Sequence, residues 1–347
     1  MIFLTLILSI LSIAVGAFMS GTFSVPFARV EGWKWEHSWL AFSFFAYLVF
    51  PALLCMICCP GFTSIITQAD SRVLITIFLY GAAYGICNMT FGLSLKYMGL
   101  ALGYALSLGL MMLLGTLLPP LIDGRMSTML ASDRAAILFV GLAVSLAGIT
   151  AMAIAGYRKE KQQSNPQEEE ESRGDVRGRT FLLGLAMCLF VGVTGSTQAL
   201  GIESGTSLVN EVNKMGVNSL FSTLPTFLVL YAGSFLTTLI GCILLSIHNK
   251  SLGNITHAPL GRNVLFCSLA GLLWFINYLF YGMGKSLMGE YSFIAWGILM
   301  SLTILSATVW GIWRGEWKTA DGKSRITMYA GLLLLVIASF LIGLSGK

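Results

Sequence analysis

Ten long stretches of this chain contain no Asp, Glu, Lys or Arg. They are residues 1–28, 37–69, 73–95, 97–122, 135–157, 180–202, 217–249, 263–284, 291–313 and 326–346. A helix needs roughly 20 apolar residues to cross the hydrocarbon core of a bilayer, and every stretch is long enough. The apolar runs are continuous and do not alternate, which favours helices over the strands of a barrel. The sequence therefore predicts an all-α polytopic membrane protein with ten transmembrane helices.

Composition supports this class and excludes others. Apolar residues make up 56% of the chain and charged residues 11%, against about 45–50% and about 25% in soluble domains. So few charges cannot cover a water-facing surface. A soluble enzyme, a disordered protein and a nucleic-acid-binding protein are excluded, and the lipid bilayer is the expected surrounding.

Residues 157–179 form a polar segment of mixed charge that predicts an exposed linker. It separates residues 1–156 from residues 180–347, and each part holds five of the apolar stretches. An odd number of spans per half puts the halves in opposite orientations, as in the inverted repeats of many transporters. An offset of 189 residues aligns scarce polar residues of the two halves: Asn88 with Asn277, Lys96 with Lys285 and Arg125 with Arg314. These matches predict an internal duplication.

The basic residues predict the orientation. Fifteen of the 21 Lys and Arg lie in the odd-numbered loops, and six lie in the even-numbered loops and the termini. Basic residues are enriched in cytoplasmic loops. The linker is therefore expected in the cytoplasm, and both termini are expected outside.

Asparagines and aromatic residues inside the spans suggest a solute site. A polar group in hydrocarbon is costly unless it is paired, and Asn88 and Asn277 both lie within apolar stretches. Helical spacing places Tyr84 on the same face as Asn88, and it groups Trp274, Tyr278 and Tyr281 around Asn277. Rings together with amides and hydroxyls suit a sugar, which has apolar faces and polar edges. Ordinary core packing and hydrogen bonding between helices are the alternative interpretation.

The candidate sugar-binding residues are Tyr84, Asn88, Trp274, Asn277, Tyr278, Tyr281 and Trp296. Two acids at span ends are the candidates for proton coupling: Glu203 and Glu290. A carboxyl in a poorly hydrated vestibule can bind a proton, although a solvated helix-end residue is the alternative for each. The cysteine group Cys55-x-x-Cys58-Cys59 has no neighbouring histidine to complete a metal site. No enzyme motif, metal site or cofactor is expected.

Several short strings resemble a known family. They include Gly21-Thr22-Phe23-Ser24-Val25-Pro26, Gly32-Trp33-Lys34-Trp35-Glu36, Tyr84-Gly85-Ile86-Cys87-Asn88, Gly271-Leu272-Leu273-Trp274, Phe280-Tyr281-Gly282 and Glu316-Trp317-Lys318. With them the chain resembles the L-rhamnose/proton symporter family of the drug/metabolite transporter superfamily. The resemblance implies ten helices in two inverted five-helix repeats, an inner-membrane location, and uptake of a deoxysugar with protons.

The chain departs from the family pattern in its acidic linker and in the region 201–218. These departures leave the identity of the sugar and of the coupling residue open. Two other functions also remain open at this point, a drug or metabolite exporter of the same superfamily and a membrane scaffold that transports nothing.

Overall fold

The computed structural model of the protein describes residues 2–131, 135–163, 176–255, 258–313, 315 and 317–345. Within these ranges the regular structure is helical, and no strand occurs. The α-helices are α1 (Ile2–Thr22), α2 (Trp35–Phe44), α3 (Phe50–Cys58), α4 (Phe62–Gln68), α5 (Ser71–Ile122), α6 (Met126–Ala131), α7 (Ala135–Gln163), α8 (Val176–Ser204), α9 (Thr206–Lys214), α10 (Leu224–His248), α11 (Leu260–Ser286), α12 (Ala295–Trp313) and α13 (Gly322–Ser345).

In the described part of the chain, nine helical segments are long and apolar enough to cross a membrane, judged by length and composition. They are Thr5–Arg29, Trp35–Cys58, Ser71–Phe91, Ala135–Lys159, Leu182–Lys214, Ser219–His248, Leu260–Ser286, Ser292–Trp313 and Gly322–Ser345. A shorter apolar segment, Leu106–Ile122, lies in the remaining predicted stretch. The prediction of an all-helical polytopic protein is confirmed, while the count of ten spans stays a prediction.

Two predicted spans differ in detail from the structure. The third and fourth stretches are continuous in α5, which has 52 residues, because the single residue Lys96 between them supplies no turn signal. At 1.5 Å per residue such a helix is about 78 Å long, more than twice the thickness of a bilayer core. The second stretch ends early, at Cys58, because Pro60 and Gly61 follow and Gly61 has a left-handed backbone with φ of 83°.

The chain divides into two compact units. The first unit comprises Met1–Ile86 and Thr197–Ala295, and the second comprises Cys87–Ser196 and Trp296–Lys347. The first unit therefore takes one segment from each predicted half of the chain, whereas the segment 87–196 of the second unit includes residues of both halves. The duplication itself, with its boundaries at residues 156 and 180, stays a prediction.

Small residues let helices of the first unit approach closely. Helix α1 packs along α11, where Ser9 Oγ donates a hydrogen bond to the carbonyl of Gly284 at 2.6 Å. Helices α5 and α10 meet at Gly81, where an added Cβ would lie 1.8 Å from the carbonyl oxygen of Leu230. Ser234 Oγ fixes the same contact by donating to the Gly81 carbonyl at 2.8 Å. Close backbone approach at small residues is typical of packing between membrane helices.

In the second unit α7 and α13 pack along each other. Gly148 and Gly331 face each other across this contact, since a Cβ on either would lie 3.0–3.1 Å from the other's carbonyl oxygen. The buried hydroxyls of Ser145 and Ser301 are hydrogen-bonded at 2.7 Å.

Candidate functional site

The first unit contains a cluster of buried aromatic rings contributed by three helical segments. We call Tyr47, Phe227, Tyr231, Trp274 and Tyr278 the ring cluster. Each of its five side chains is at most 6% exposed. Trp274 and Tyr278 are four residues apart on α11 and therefore share a face. Phe227 and Tyr231 have the same spacing on α10.

Tyr47 reaches the ring cluster from an irregular turn. Residues Phe45–Val49 form a π-helical turn between α2 and α3. Pro51, which has no N–H group, cannot donate to the carbonyl of Tyr47 four residues earlier. The loss of this α-helical bond accounts for the local π-helix, a feature that often marks functional positions in helices.

The rings contact one another mainly through edges and tilted faces. Trp274 lies at the centre, with ring centroids 4.6 Å from Tyr278, 4.9 Å from Tyr47 and 5.1 Å from Tyr231. The Tyr231 ring is stacked between two others, at 5.7 Å from Tyr47 and 5.8 Å from Phe227. Offset and edge-on contacts of this kind are the favoured geometries for aromatic pairs.

A single glutamine connects two hydroxyl groups of the ring cluster. Gln198 of α8 is fully buried. Its Nε2 donates to Tyr231 Oη at 2.9 Å, and its Oε1 accepts from Tyr278 Oη at 3.2 Å. The amide thus links α8, α10 and α11 by polar contacts inside an apolar surrounding, where such bonds are strong and unpaired groups costly.

A buried ion pair lies toward the end of the same helices. Lys285 of α11 and Glu203 of α8 form a salt bridge, and each side chain is 9% exposed. Lys285 follows Tyr278 by seven residues, so along α11 the ion pair lies about 10 Å from the hydrogen bond between Tyr278 and Gln198. The predicted coupling acid Glu203 therefore lies close to the ring cluster along the helices, and the ammonium of Lys285 balances its charge.

Asn277 faces a different neighbour from the rings. A Cβ on Gly16 of α1 would lie 2.6 Å from the carbonyl oxygen of Asn277 and 3.2 Å from its Oδ1. Among the residues that the structure describes, this Oδ1 is buried and has no hydrogen-bond partner. A buried acceptor without a donor is costly, and it is a position where a solute hydroxyl can bind.

The structure brings only some of the predicted site residues together. Trp274, Tyr278 and Tyr281 lie along one face of α11, with the Tyr278 and Tyr281 rings 6.4 Å apart. Tyr84 is a buried residue of the first unit, whereas Asn88 is half-buried and belongs to the second.

Trp296 also belongs to the second unit. There its Nε1 donates to the Met111 carbonyl at 3.1 Å. The Glu290 and Lys96 side chains lie outside the described residues. The roles of all these residues in binding and coupling stay predictions.

Four residues of the site were missed by sequence reasoning: Tyr47, Gln198, Phe227 and Tyr231. Gln198 is a polar residue inside an apolar stretch, the same signal that pointed to Asn88 and Asn277. Tyr47 stands four residues before Pro51, which signals a broken helical bond. Tyr231 has no comparable signal, because only the folded α10 brings it beside Trp274.

Metal-binding geometry is absent within the described ranges, where no three His, Cys, Asp or Glu side chains group together. The seven cysteines form no disulfide. Among them, Cys59 donates its thiol to the carbonyl of Phe221 at 3.3 Å.

The helices and the buried polar contacts between them define a multi-spanning helical membrane protein with a polar site inside an apolar core. The sequence profile of the L-rhamnose-proton symport protein family (RhaT) matches residues 3–346. The chain belongs to this family. It is 28% identical to the L-rhamnose-proton symporter of Mannheimia succiniciproducens over 336 residues, covering 95% of both chains. It is 26% identical to the L-rhamnose-proton symporter of Yersinia pestis (strain Pestoides F) over 345 residues, covering 98% of both.

Proposed function

We propose that the protein imports L-rhamnose together with protons across the inner membrane. Membership of the family and the names of its relatives give the reaction. The observation that carries the proposal in the structure is the hydrogen bonding of Gln198 to two tyrosines within the ring cluster. Rings and polar groups thus meet inside the apolar core, as sugar recognition requires.

The chemistry of a deoxysugar suits this arrangement. Its pyranose ring has C–H faces that pack on aromatic rings, and its hydroxyls need both donors and acceptors. Trp274 supplies the largest ring, and Tyr278 and Gln198 supply polar groups. Asn277 adds a buried acceptor on the neighbouring side of α11, toward Gly16 of α1. Since the rings now contact one another, we infer that they separate when sugar binds, as part of the alternating exposure of the site.

We propose Glu203 as the proton-coupling acid, with Glu290 as the second candidate. The ammonium of Lys285 stabilises the Glu203 carboxylate, so a proton on Glu203 removes the charge that holds Lys285 in place. Protonation and separation of the pair are therefore linked events. Lys285 is then free to donate to sugar hydroxyls, which couples sugar binding to proton binding in both directions.

For the topology, we propose two inverted five-helix repeats, residues 1–156 and 180–347, joined by the cytoplasmic linker 157–179. Both termini then lie on the periplasmic side. The distribution of the 21 Lys and Arg supports this orientation.

Transport in proteoliposomes tests the proposed function. Purified protein should accumulate radiolabelled L-rhamnose above the external concentration when an inward proton gradient is imposed. Accumulation should stop when an ionophore collapses the gradient, and protein-free liposomes are the control. Proton-driven export of sugar from preloaded liposomes would favour the exporter, and no flux in either direction would favour the scaffold.

A further inference from the structure

The first unit contains a cavity next to the Glu203–Lys285 ion pair. The cavity, of about 250 Å³, is lined by twelve residues of the segment 202–292, and nine of the twelve have polar side chains. Ser222, Thr223 and Lys285 line its buried part, and each of these residues, backbone included, is at most 7% exposed. Cavities that hold small molecules are usually mostly apolar with a few polar groups, and this cavity likewise combines a larger apolar surface with side chains that can form hydrogen bonds.

Helix α9 turns its polar face toward this cavity. Leu208 and Val212 are buried at 1% and 0% exposure, which anchors one side of the helix. Thr206, Asn210 and Asn213 follow the i, i+4, i+7 spacing of a single face, and all three line the cavity. Each asparagine amide offers two donors and an acceptor, which matches the mixed demands of neighbouring sugar hydroxyls.

The cavity and the aromatic site are adjacent on three helices. On α11, Lys285 lines the cavity four residues after Tyr281, and on α8 Ile202 lines it four residues after Gln198. On the third helix Thr223 precedes Phe227 by four residues. A Cβ on Gly282 would lie 2.2 Å from Thr223 Oγ1 and 3.2 Å from Phe227 Cε2, so α10 and α11 touch at this level. The cavity therefore lies one to two helical turns, about 6–10 Å, beyond the ring cluster and Gln198.

Charge indicates which solutes fit. The ammonium of Lys285 is balanced by Glu203, and Lys214 on α9 pairs with Glu211 at 2.7 Å. Neither pair leaves a net charge to attract an anion. Burial of an apolar drug-like molecule would also be disfavoured, because it would remove water from the amides of Asn210 and Asn213 without replacing the lost hydrogen bonds.

We propose that this cavity is an outer binding subsite for the hydroxyl groups of a neutral monosaccharide, occupied before the sugar reaches the ring cluster. The inference rests on the proposed function for the identity of the sugar. Asn210 and Asn213 hold the solute in this subsite, and the Glu203–Lys285 pair separates it from the aromatic site.

Kinetics give the first test. The double variant Asn210→Ala/Asn213→Ala should raise the KM for L-rhamnose by about 5- to 30-fold, the effect of losing two modest hydrogen bonds. The maximal rate should change less than about 2-fold, since the ring cluster is intact. Ser207→Ala, an exposed position on the same helix that does not line the cavity, is the matched control and should leave the KM unchanged. An unchanged KM in the double variant overturns the proposal.

Labelling separates this subsite from the deeper one. An Asn213→Cys variant is reconstituted in liposomes so that all molecules have the outside-out orientation. It should react with a membrane-impermeant thiol reagent, and L-rhamnose should slow this reaction at least 3-fold. Protein without the added cysteine gives the background, and Ser207→Cys should not be protected. Protection should persist when Trp274→Phe or Tyr278→Phe is added.

Loss of protection in both of these combined variants would show that the effect comes from the ring cluster, and this result also overturns the proposal. A failure of the proposed function has a different signature, because wild-type protein would then show no proton-driven uptake whatever the labelling result.

Discussion

The phenol of Tyr278 donates a hydrogen bond to Gln198 across 3.2 Å, in a region where both side chains are at most 4% exposed. The amide nitrogen of the same side chain donates to the hydroxyl oxygen of Tyr231. Gln198 is thereby held in one orientation, with its nitrogen toward α10 and its oxygen toward α11. In the proposed sugar site, an entering sugar would replace one or both of these hydrogen bonds with bonds from its own hydroxyls.

The first prediction concerns this amide. Gln198→Leu removes one hydrogen bond from each of the phenols of Tyr231 and Tyr278, and a buried polar group that loses its hydrogen bond costs about 1–3 kcal/mol. The variant should melt at a lower temperature and bind L-rhamnose at least about 10-fold more weakly. Tyr278→Phe, which removes one donor only, should weaken binding about 2- to 12-fold.

Calorimetric titration and thermal unfolding in detergent check both effects. Tyr329→Phe, at a position 54% exposed in the second unit, is the matched control. Wild-type affinity in both Gln198→Leu and Tyr278→Phe would remove the amide from the sugar site.

The second prediction concerns the contact between α5 and α10. Gly81→Ala places a methyl group 1.8 Å from the carbonyl of Leu230, the residue before Tyr231, so the two helices must separate. Overpacking typically costs about 1–3 kcal/mol. Thermal stability should fall and sugar affinity should fall with it. Gly261→Ala, where an added Cβ meets nothing within 4 Å, should change neither, and an equal loss in the two variants would contradict the prediction.

The sequence predicts much of the fold because the stretches without charged residues are the ones that can lie in the hydrocarbon core of the bilayer. It predicts the α11 face equally well, since Trp274, Tyr278 and Tyr281 follow helical spacing. Partners from distant segments are different: Gln198 lies 80 residues before Tyr278, and no periodicity relates them. Nor does the sequence show that Lys285 is the counter-charge of Glu203.

The positions where helices end or continue are the other feature that the sequence did not predict. Pro60 and Gly61 end the second span early, although the charge-free stretch continues past them to residue 69. Hydropathy counts apolar residues and does not register a turn within them. The uninterrupted α5 is the opposite case, because a lone Lys96 resembles a loop in a charge pattern although the backbone remains helical.

The third prediction concerns the topology. A reporter enzyme fused after Lys347 should be active in the periplasm, and one inserted within residues 162–167 should be active in the cytoplasm. The reason is the excess of Lys and Arg in the odd-numbered loops. Paired reporters with opposite compartment requirements provide the control at each site. A cytoplasmic C-terminus with a periplasmic linker would contradict the proposed orientation.

The fourth prediction concerns the start of α13. Asp321 Oδ1 accepts the backbone N–H of Ser324 at 2.9 Å, and hydrogen bonds from Ser324 lower the pKa of this carboxyl to about 2. Because the folded pKa is below the ordinary value, the carboxylate stabilises the helix start above about pH 4 and this contribution is lost as the pH falls toward 2.

Asp321→Ala should lower the melting temperature at pH 7. Asparagine is also a good N-cap, so Asp321→Asn should keep most of the stabilisation that the aspartate provides. The difference between Asp321→Ala and wild type should shrink with acidification. A difference that stays constant between pH 7 and pH 3 would show that the carboxylate does not act as the cap.

The last prediction concerns coupling. Glu203→Gln removes the titrating group, so the protein should lose accumulation of L-rhamnose driven by a pH gradient. It should keep counterflow exchange, because exchange does not require release of the proton. In wild type, apparent sugar affinity should fall as external pH rises, since proton and sugar strengthen each other's binding by the same factor.

Lys285 provides a check on folding for the same experiment. Lys285→Met alone leaves the Glu203 carboxylate buried without its counter-charge and should destabilise the protein by about 3–5 kcal/mol. The double variant Glu203→Gln/Lys285→Met should recover much of this stability but not the accumulation.

Glu290→Gln is measured in parallel. If Glu203→Gln and Glu290→Gln both still accumulate sugar, neither acid couples transport. The next candidate is then Glu36, which is 4% exposed and accepts hydrogen bonds from Ser251 Oγ at 2.7 Å and Asn249 Nδ2 at 3.1 Å.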